Sequence, residues 1–220
     1  MTGALQPGQK LTLRALADQF GTSMMPVRDA VRRLTAEGGL HMSPNRTIRV
    51  NSPTPAQFAE IVKIRCALEG LATETACKLV SQQALTRIQH YAARFEVAGR
   101  KTRSNPTVLS KINRNLHFAI YEAAQMPLLL GMIESLWVQV APALSLTMRH
   151  TTRGVTQWES FAHHAKLVDY LIKRDAPKAR QAIISDIRDA GSFILRSGAL
   201  ELISQESQTH PRSRTRHRLQ

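Results

Sequence analysis

Two short segments near the amino terminus place apolar residues at the i, i+3, i+4, i+7 spacing of one helix face. The first set is Leu13, Leu16, Ala17 and Phe20, and the second is Val27, Ala30, Val31 and Leu34. Gly21 and Thr22 end the first segment, Ser23 is placed to cap the second, and Gly38 stops it. Two short helices joined by a tight turn form a helix-turn-helix.

The next residues predict a small hairpin behind these helices. Residues 40–42 and 47–50 fit two short strands, with the turn at 43–46 and Arg46 at its tip. The run Asn-Ser-Pro-Thr-Pro at 51–55 then indicates a linker. We therefore predict a winged helix-turn-helix over residues 1–52.

From residue 55 to about 203 the apolar spacing is helical throughout, without strand-like alternation. Breaks near 80–82, 99–106, 125–127, 149–156 and 174–177 divide the segment into about six helices, enough for an antiparallel bundle. Residues 126–148 carry the single charge Glu134, and we interpret them as a buried core helix because a carboxylate inside a bilayer is costly. We therefore predict a mostly α fold class, and by composition we expect residues 204–220 to be a basic disordered tail.

The net charge of the chain indicates what kind of partner it binds. The 220 residues contain 30 Lys and Arg against 16 Asp and Glu, which gives a formal net charge of +14. A surplus of this size favours a polyanionic partner. The two cysteines exclude a disulfide framework. Since no secretory signal opens the chain, we expect a cytoplasmic protein without a membrane partner.

The second predicted helix carries the residues that suit DNA recognition. Arg28 and Arg32 lie one turn apart on its polar face, with Met24 a turn earlier. Arginine near the start of such a helix makes bidentate contacts to guanine, and a basic wing tip reaches phosphates. The alternative is a small helical module whose arginines only form a solvated face.

Polar residues interrupt the apolar stripes of the bundle. Arg65 follows Phe58 and Ile61 on one stripe, with Glu69 one turn later. A charge at such a position requires a partner. Two interpretations stay open, an internal Arg65–Glu69 salt bridge or an arginine that binds the carboxylate of a ligand.

Four more polar residues lie on or beside apolar stripes of three helices: Asn113, His117, His164 and Asp186. Each alone fits a hydrogen-bonded core residue. Together, two imidazoles, a carboxylate and an amide oxygen suit a divalent transition metal with positions left open for water or a ligand. Zn, Mn and Ni are not distinguished by this set.

The amino-terminal part resembles the winged helix-turn-helix of GntR-family bacterial transcription regulators. The matching segments are 7–11, 13–17, 26–34, 37–38 and 44–46. The resemblance implies DNA contacts from Arg14, Ser23, Arg28, Asn45 and Arg46. The chain departs from the family at Met24, where an arginine is usual, and at Thr47, where the wing has a glycine. By this resemblance we also expect the domain to lack its first helix.

The helical part resembles the FCD effector-binding domain of the FadR-like subgroup. The matching segments are 65–69, 113–118, 164–167, and 174–175 followed by Ala179. The resemblance implies a metal held by an aspartate and three histidines. Here Asn113 stands at the aspartate position, Asp186 at the last histidine position, and His117 and His164 match. It also implies a small organic acid that reaches the metal and pairs with Arg65.

The leading hypothesis is therefore a sequence-specific DNA-binding regulator that senses a small carboxylate effector through a bound metal. Two half-sites require two recognition helices, so we expect a homodimer. Two alternatives stay open. One is a degraded regulator with only nonspecific DNA binding, and the other is a metal-dependent enzyme that uses the Asn113, His117, His164 and Asp186 cluster.

Overall fold

Short strands and two helices come first along the chain, and long helices follow. The computed structural model describes residues 5–43, 47–100, 105–150, 160–198 and 200. The strands are β1 (Lys10–Leu11), β2 (Leu40–Met42) and β3 (Ile48–Val50). The helices are α1 (Leu13–Phe20), α2 (Met24–Ala36), α3 (Pro55–Leu79), α4 (Gln82–Gly99), α5 (Pro106–Ala123), α6 (Pro127–His150), α7 (Ser160–Ile172) and α8 (Ala176–Arg196). The predicted fold class, a winged helix-turn-helix followed by a helical bundle, is confirmed.

The amino-terminal unit pairs three antiparallel strands in the order β1-β3-β2. The predicted hairpin is present, with Leu40 opposite Val50. The third strand, β1, was not predicted, because two residues carry no readable alternation. The Thr12 side chain caps α1, and Gly21 ends that helix in the left-handed conformation that glycine adopts without strain. The wing tip at 44–46 lies outside the described residues, and so does the predicted tail at 204–220.

This unit has a small hydrophobic core with one open side. Its buried apolar residues are Leu11, Ala17, Val27, Val31, Leu40, Ile48 and Val50. The predicted apolar faces of α1 and α2 are only partly buried, since Phe20 is 70% exposed and Ala30 is exposed as well. Both residues instead line an apolar groove of about 530 Å³ between α1, α2 and the Ala141–Pro142 segment of α6.

In the described part of the chain the bundle consists of six helices, α3 to α8, and the pattern predicted about six. Helix α3 packs along α8, and α4 packs along α5. A capping box of Thr54 and Gln57 starts α3. At its other end the Arg174 guanidinium donates hydrogen bonds to the carbonyls of Cys77, Lys78 and Val80. These bonds satisfy the last carbonyls of α3, which have no partner within the helix.

Helix α6 is apolar enough over residues 127–144 to cross a membrane, the one such helix in the described part of the chain. Only a third of that stretch is buried. Its buried face carries Leu129, Ile133, Trp137 and Val140. The prediction of a buried core helix therefore holds for one face, while Leu128 on another face is 84% exposed.

The amino-terminal unit rests on the bundle through two glycines after α2. A Cβ atom added to Gly39 would lie 2.2 Å from Cγ1 of Val138 on α6. A Cβ atom on Gly38 would lie 3.1 Å from the Gln139 side chain, and Gly38 has a φ of +75°. The end of α2 and the middle of α6 thus approach at a distance that only glycine permits.

Candidate metal centre and nucleic-acid interface

Three side chains from three helices meet inside the bundle. His117 lies on α5, His164 on α7 and Asp186 on α8, and all are buried. The two Nε2 atoms are 3.2 Å apart. Asp186 Oδ2 lies 3.4 Å from Nε2 of His117 and 3.6 Å from Nε2 of His164. The sequence prediction named all three residues, and the fold brings them together.

The spacing of these atoms fits a metal ion. Ligand atoms about 2.0–2.2 Å from one ion lie about 3.0–3.6 Å apart in tetrahedral or octahedral geometry. The two carboxylate–imidazole distances are longer than a good hydrogen bond. Two buried atoms of the same residues, Nδ1 of His164 and Oδ1 of Asp186, have no hydrogen-bond partner among the described residues. The donor set of two imidazoles and one carboxylate suits Zn, Mn or Ni.

The protonation states of His117 and Asp186 also suit metal binding, because ligands must be deprotonated. Burial lowers the pKa of His117, and the adjacent Asp186 carboxylate opposes that shift only in part. Burial works against ionisation of Asp186, yet His164 and His117 hold the pKa of this carboxyl well below its usual range. A neutral His117 and an ionised Asp186 are therefore expected at neutral pH.

Glu69 on α3 accepts hydrogen bonds from three buried side chains beside the triangle formed by His117, His164 and Asp186. Arg65 donates from Nε to Oε1 at 2.6 Å and from Nη2 to Oε2 at 3.3 Å. Trp137 donates its indole N–H to Oε2 at 3.2 Å, and the Tyr121 hydroxyl donates to the same oxygen. Burial disfavours the charge on Arg65, but Glu69 outweighs burial and raises the pKa of the guanidinium. The internal salt bridge between Arg65 and Glu69, one of the two interpretations that the sequence left open, is present, and the binding of an effector by Arg65 stays a prediction.

Sequence reasoning missed Tyr121 and Trp137. Tyr121 follows His117 by four residues, as His117 follows Asn113, so the helical spacing held a usable signal. Trp137 lies in a nearly uncharged stretch where periodicity marks no special position. Asn113 is half-buried one turn before His117, and its role as a fourth ligand stays a prediction.

The residues predicted to contact DNA are exposed where the structure describes them. Arg14 lies on α1, Ser23 at the start of α2, and Arg28 and Arg32 on the solvent face of α2. The Ser23 side chain makes no capping hydrogen bond, which leaves its hydroxyl available to another partner. Asn45 and Arg46 lie outside the described residues, so their contacts stay predictions.

Comparison with known proteins identifies both parts of the chain. Residues 1–50 match the family "Bacterial regulatory proteins, gntR family", and residues 60–189, more than half of the chain, match the FCD domain. The chain belongs to the GntR family of FCD-domain regulators. The HTH-type transcriptional regulator McbR of Escherichia coli K12 is 35% identical over 142 residues, which cover 64% of this chain and 63% of McbR.

Solved structures of this family share the fold. The structure of E. coli McbR/YncC aligns with a TM-score of 0.75 and 28% identity over 93% of this chain and 91% of that one. A putative GntR regulator from Rhodococcus sp. RHA1 aligns with a TM-score of 0.70 over 89% of this chain and 91% of that one. At 18% identity this second likeness shows the fold alone. The GntR arrangement of winged unit and FCD bundle therefore extends over nearly the whole chain.

Within this GntR protein, one turn of α6 contacts both the candidate metal centre and the glycines that follow the predicted recognition helix. Trp137 contacts Glu69 by its indole N–H, and its ring lies 5.3 Å from that of His117. The next residue, Val138, faces Gly39 at the end of α2. Trp137 also lines a cleft of about 360 Å³ whose opposite wall includes Arg33 and Glu37 of the winged unit. Adjacent residues of α6 therefore contact His117 of the buried cluster and Gly39 just after the predicted recognition helix.

Proposed function

We propose that this chain is a sequence-specific DNA-binding transcription regulator whose FCD bundle binds a divalent metal and responds to a small organic acid. It works in the cytoplasm as a homodimer, since two half-sites require two recognition helices. Its family favours a regulator over the metal-dependent enzyme considered from sequence. The observation that carries the proposal is that adjacent residues of α6, Trp137 and Val138, contact His117 of the triangle and Gly39 just after α2.

The DNA-binding half of the proposal rests on exposed arginines. Arg28 and Arg32 are one turn apart on α2, and Arg14 is exposed on α1. Lys10 on β1 is also exposed and adds to the positive charge of the unit. Phosphate contacts of such residues give salt-dependent affinity, and base contacts from Arg28 and Ser23 add specificity.

The sensing half rests on the buried cluster. His117, His164 and Asp186 would hold the ion, with Asn113 as the proposed fourth ligand. The bound ion would supply a Lewis-acidic anchor for an oxygen of the acid. Arg65 provides a buried positive charge near the proposed ion. A ligand carboxylate would share the Arg65 guanidinium with Glu69. Ligand binding changes DNA affinity only if the ligand prefers one arrangement of α6 and α2 over the other.

A linkage experiment tests this proposal. The affinity of the chain for DNA from upstream of its own gene is measured after chelator treatment and again with saturating Zn²⁺ or Ni²⁺. We expect the DNA affinities of the chelator-treated and metal-saturated chain to differ about 5-fold or more, the size of typical allosteric couplings. We expect this difference to disappear in Asp186→Asn. Equal affinities in both states, at confirmed metal loading, would contradict metal-linked control of DNA binding.

Base reading by Arg28 has its own test. We expect Arg28→Ala to cost about 1–3 kcal/mol on the upstream DNA and much less on scrambled DNA. Arg94, exposed on α4 of the bundle, provides the matched control, and Arg94→Ala should leave both affinities unchanged. An equal loss on both DNAs would show that Arg28 contacts only phosphate.

A further inference from the structure

A hydrogen-bonded chain leads away from the candidate metal position. Nδ1 of His117 lies 3.0 Å from the hydroxyl oxygen of Tyr121, and that hydroxyl in turn donates to Glu69. His117 and Tyr121 are 1% exposed and Glu69 is fully buried, so water does not compete for these bonds. The opposite ring nitrogen of His117, Nε2, faces His164 and Asp186.

The donors and acceptors in this series of hydrogen bonds have a fixed order. Glu69 pairs with Arg65 as a carboxylate, and a carboxylate only accepts hydrogen bonds. The Tyr121 hydroxyl has one proton, which it donates to Glu69, so its oxygen is left to accept. The Nδ1 atom of His117 must therefore carry the proton, and Nε2 presents a lone pair to the triangle.

We propose that Tyr121 and Glu69 are positioning residues of the metal site, which hold His117 in the tautomer whose Nε2 binds the ion. This inference rests on the proposed function, because it presupposes that the triangle binds metal. Metal-binding histidines commonly donate their second N–H to a carboxylate or carbonyl. Here a tyrosine stands between the imidazole and the carboxylate, and Arg65 and Trp137 also donate hydrogen bonds to that carboxylate.

His164 provides an internal contrast. Its Nδ1 is buried without a hydrogen-bond partner among the described residues, and its ring packs edge-on against Phe95 at 4.8 Å. On the side of His164 that faces away from the triangle only packing orients the ring, whereas on that side of His117 a hydrogen bond also selects the tautomer. The two histidine ligands are therefore expected to respond differently when Tyr121 is changed.

Tyr121→Phe tests the hydrogen-bonded relay from His117 through Tyr121 to Glu69, because it removes the hydroxyl and keeps the ring. Affinity for Zn²⁺ and Ni²⁺ is measured by competition with a chromogenic chelator. Loss of such an outer partner typically lowers metal affinity about 10–100-fold, and we expect a loss in that range. The matched control is Tyr91→Phe, a half-buried tyrosine on α4 beside His90, which should leave the affinity unchanged.

The tautomer itself is measured by NMR of assigned, nitrogen-15-labelled histidines in the metal-free protein. We expect the unmodified chain to show the His117 proton on Nδ1, and Tyr121→Phe to lose that preference without a change at His164. A proton on Nε2 of His117 in the unmodified chain would overturn the inference, even if the variant failed to fold.

The two levels of the proposal fail in different ways. If the unmodified chain binds none of Zn²⁺, Ni²⁺ and Mn²⁺, the proposed metal site is wrong. If it binds metal and Tyr121→Phe binds it equally well with the same His117 tautomer, the metal site stands and the relay is overturned.

Discussion

The winged unit and the helical bundle place their charged residues in opposite ways. In the winged unit, Arg14, Arg28 and Arg32 are exposed and the described core is entirely apolar. In the bundle, Arg65, Glu69 and Asp186 are at most 5% exposed. An exposed arginine keeps its hydration and is free to contact an external polyanion. A buried charge must be compensated by neighbours at fixed positions, and such positions build a site for an ion.

The largest expected effect follows from this contrast within a single helix, α3. Glu69→Ala would leave Arg65 buried without its partner, and breaking a buried pair costs about 3–5 kcal/mol of the free energy of unfolding. Urea denaturation measures this loss.

Glu74 provides the control for that measurement, since it also pairs with an arginine of the bundle, Arg180, at 2.8 Å but near the surface. Glu74→Ala should shift the urea midpoint little, because exposed pairs contribute little. Similar shifts for both variants would contradict the distinction between buried and exposed charge.

Metal binding should stabilise the bundle through one of two adjacent histidines. At a metal concentration about 100 times the dissociation constant, binding adds about 2.7 kcal/mol to the free energy of unfolding. We expect His164→Gln to lose this gain. His163→Gln should keep it, since His163 faces Asp189 at 2.6 Å instead of the triangle. Thermal unfolding with and without Zn²⁺ measures both, and retention of the full gain in His164→Gln would place the ion elsewhere.

The contact between the two regions should be sensitive to one methyl group. Because a Cβ atom on Gly39 would lie 2.2 Å from Val138, we expect Gly39→Ala to cost about 1–3 kcal/mol of stability by overpacking. Val138→Ala in the same chain removes the opposing atom and should restore most of that loss. Chemical denaturation of both single variants and the double variant gives the coupling. Additive effects would show that the two residues do not press on each other.

The smallest effect concerns neighbouring arginines of α2. Arg32→Ala should weaken binding to all DNA sequences alike and reduce the salt slope by about 1. Arg33 hydrogen bonds to Glu37 at 2.7 Å, so Arg33→Ala should change the slope less. Titrations at several salt concentrations compare the two. Equal slopes for Arg32→Ala and the unmodified chain would remove Arg32 from the DNA contact surface.

Apolar spacing predicted most of the fold, because long amphipathic helices repeat their signal many times. The six bundle helices and the hairpin were predicted, whereas β1 is only two residues long and depends on pairing with β3. Phe20 has the spacing of a core residue but lies on the open side of a small unit. Local spacing shows which face is apolar, and only the tertiary structure decides whether that face is covered.

The candidate site was predictable only in part for a related reason. His117, His164 and Asp186 were visible as polar interruptions of apolar stripes, each on its own helix. Their convergence at 3.2–3.6 Å depends on how α5, α7 and α8 pack. Trp137 could not be singled out, because an aromatic residue in an apolar stretch is ordinarily a core residue.

The most direct test of the central claim is a binding titration on DNA from upstream of the chain's own gene, against scrambled DNA of equal length. At about physiological salt nonspecific binding is weak, so the ratio of the two dissociation constants reports sequence reading. The account predicts a preference of about 10³-fold or more for the upstream DNA. Equal affinities for the two DNAs would contradict it and would leave a protein that binds DNA only through its charge.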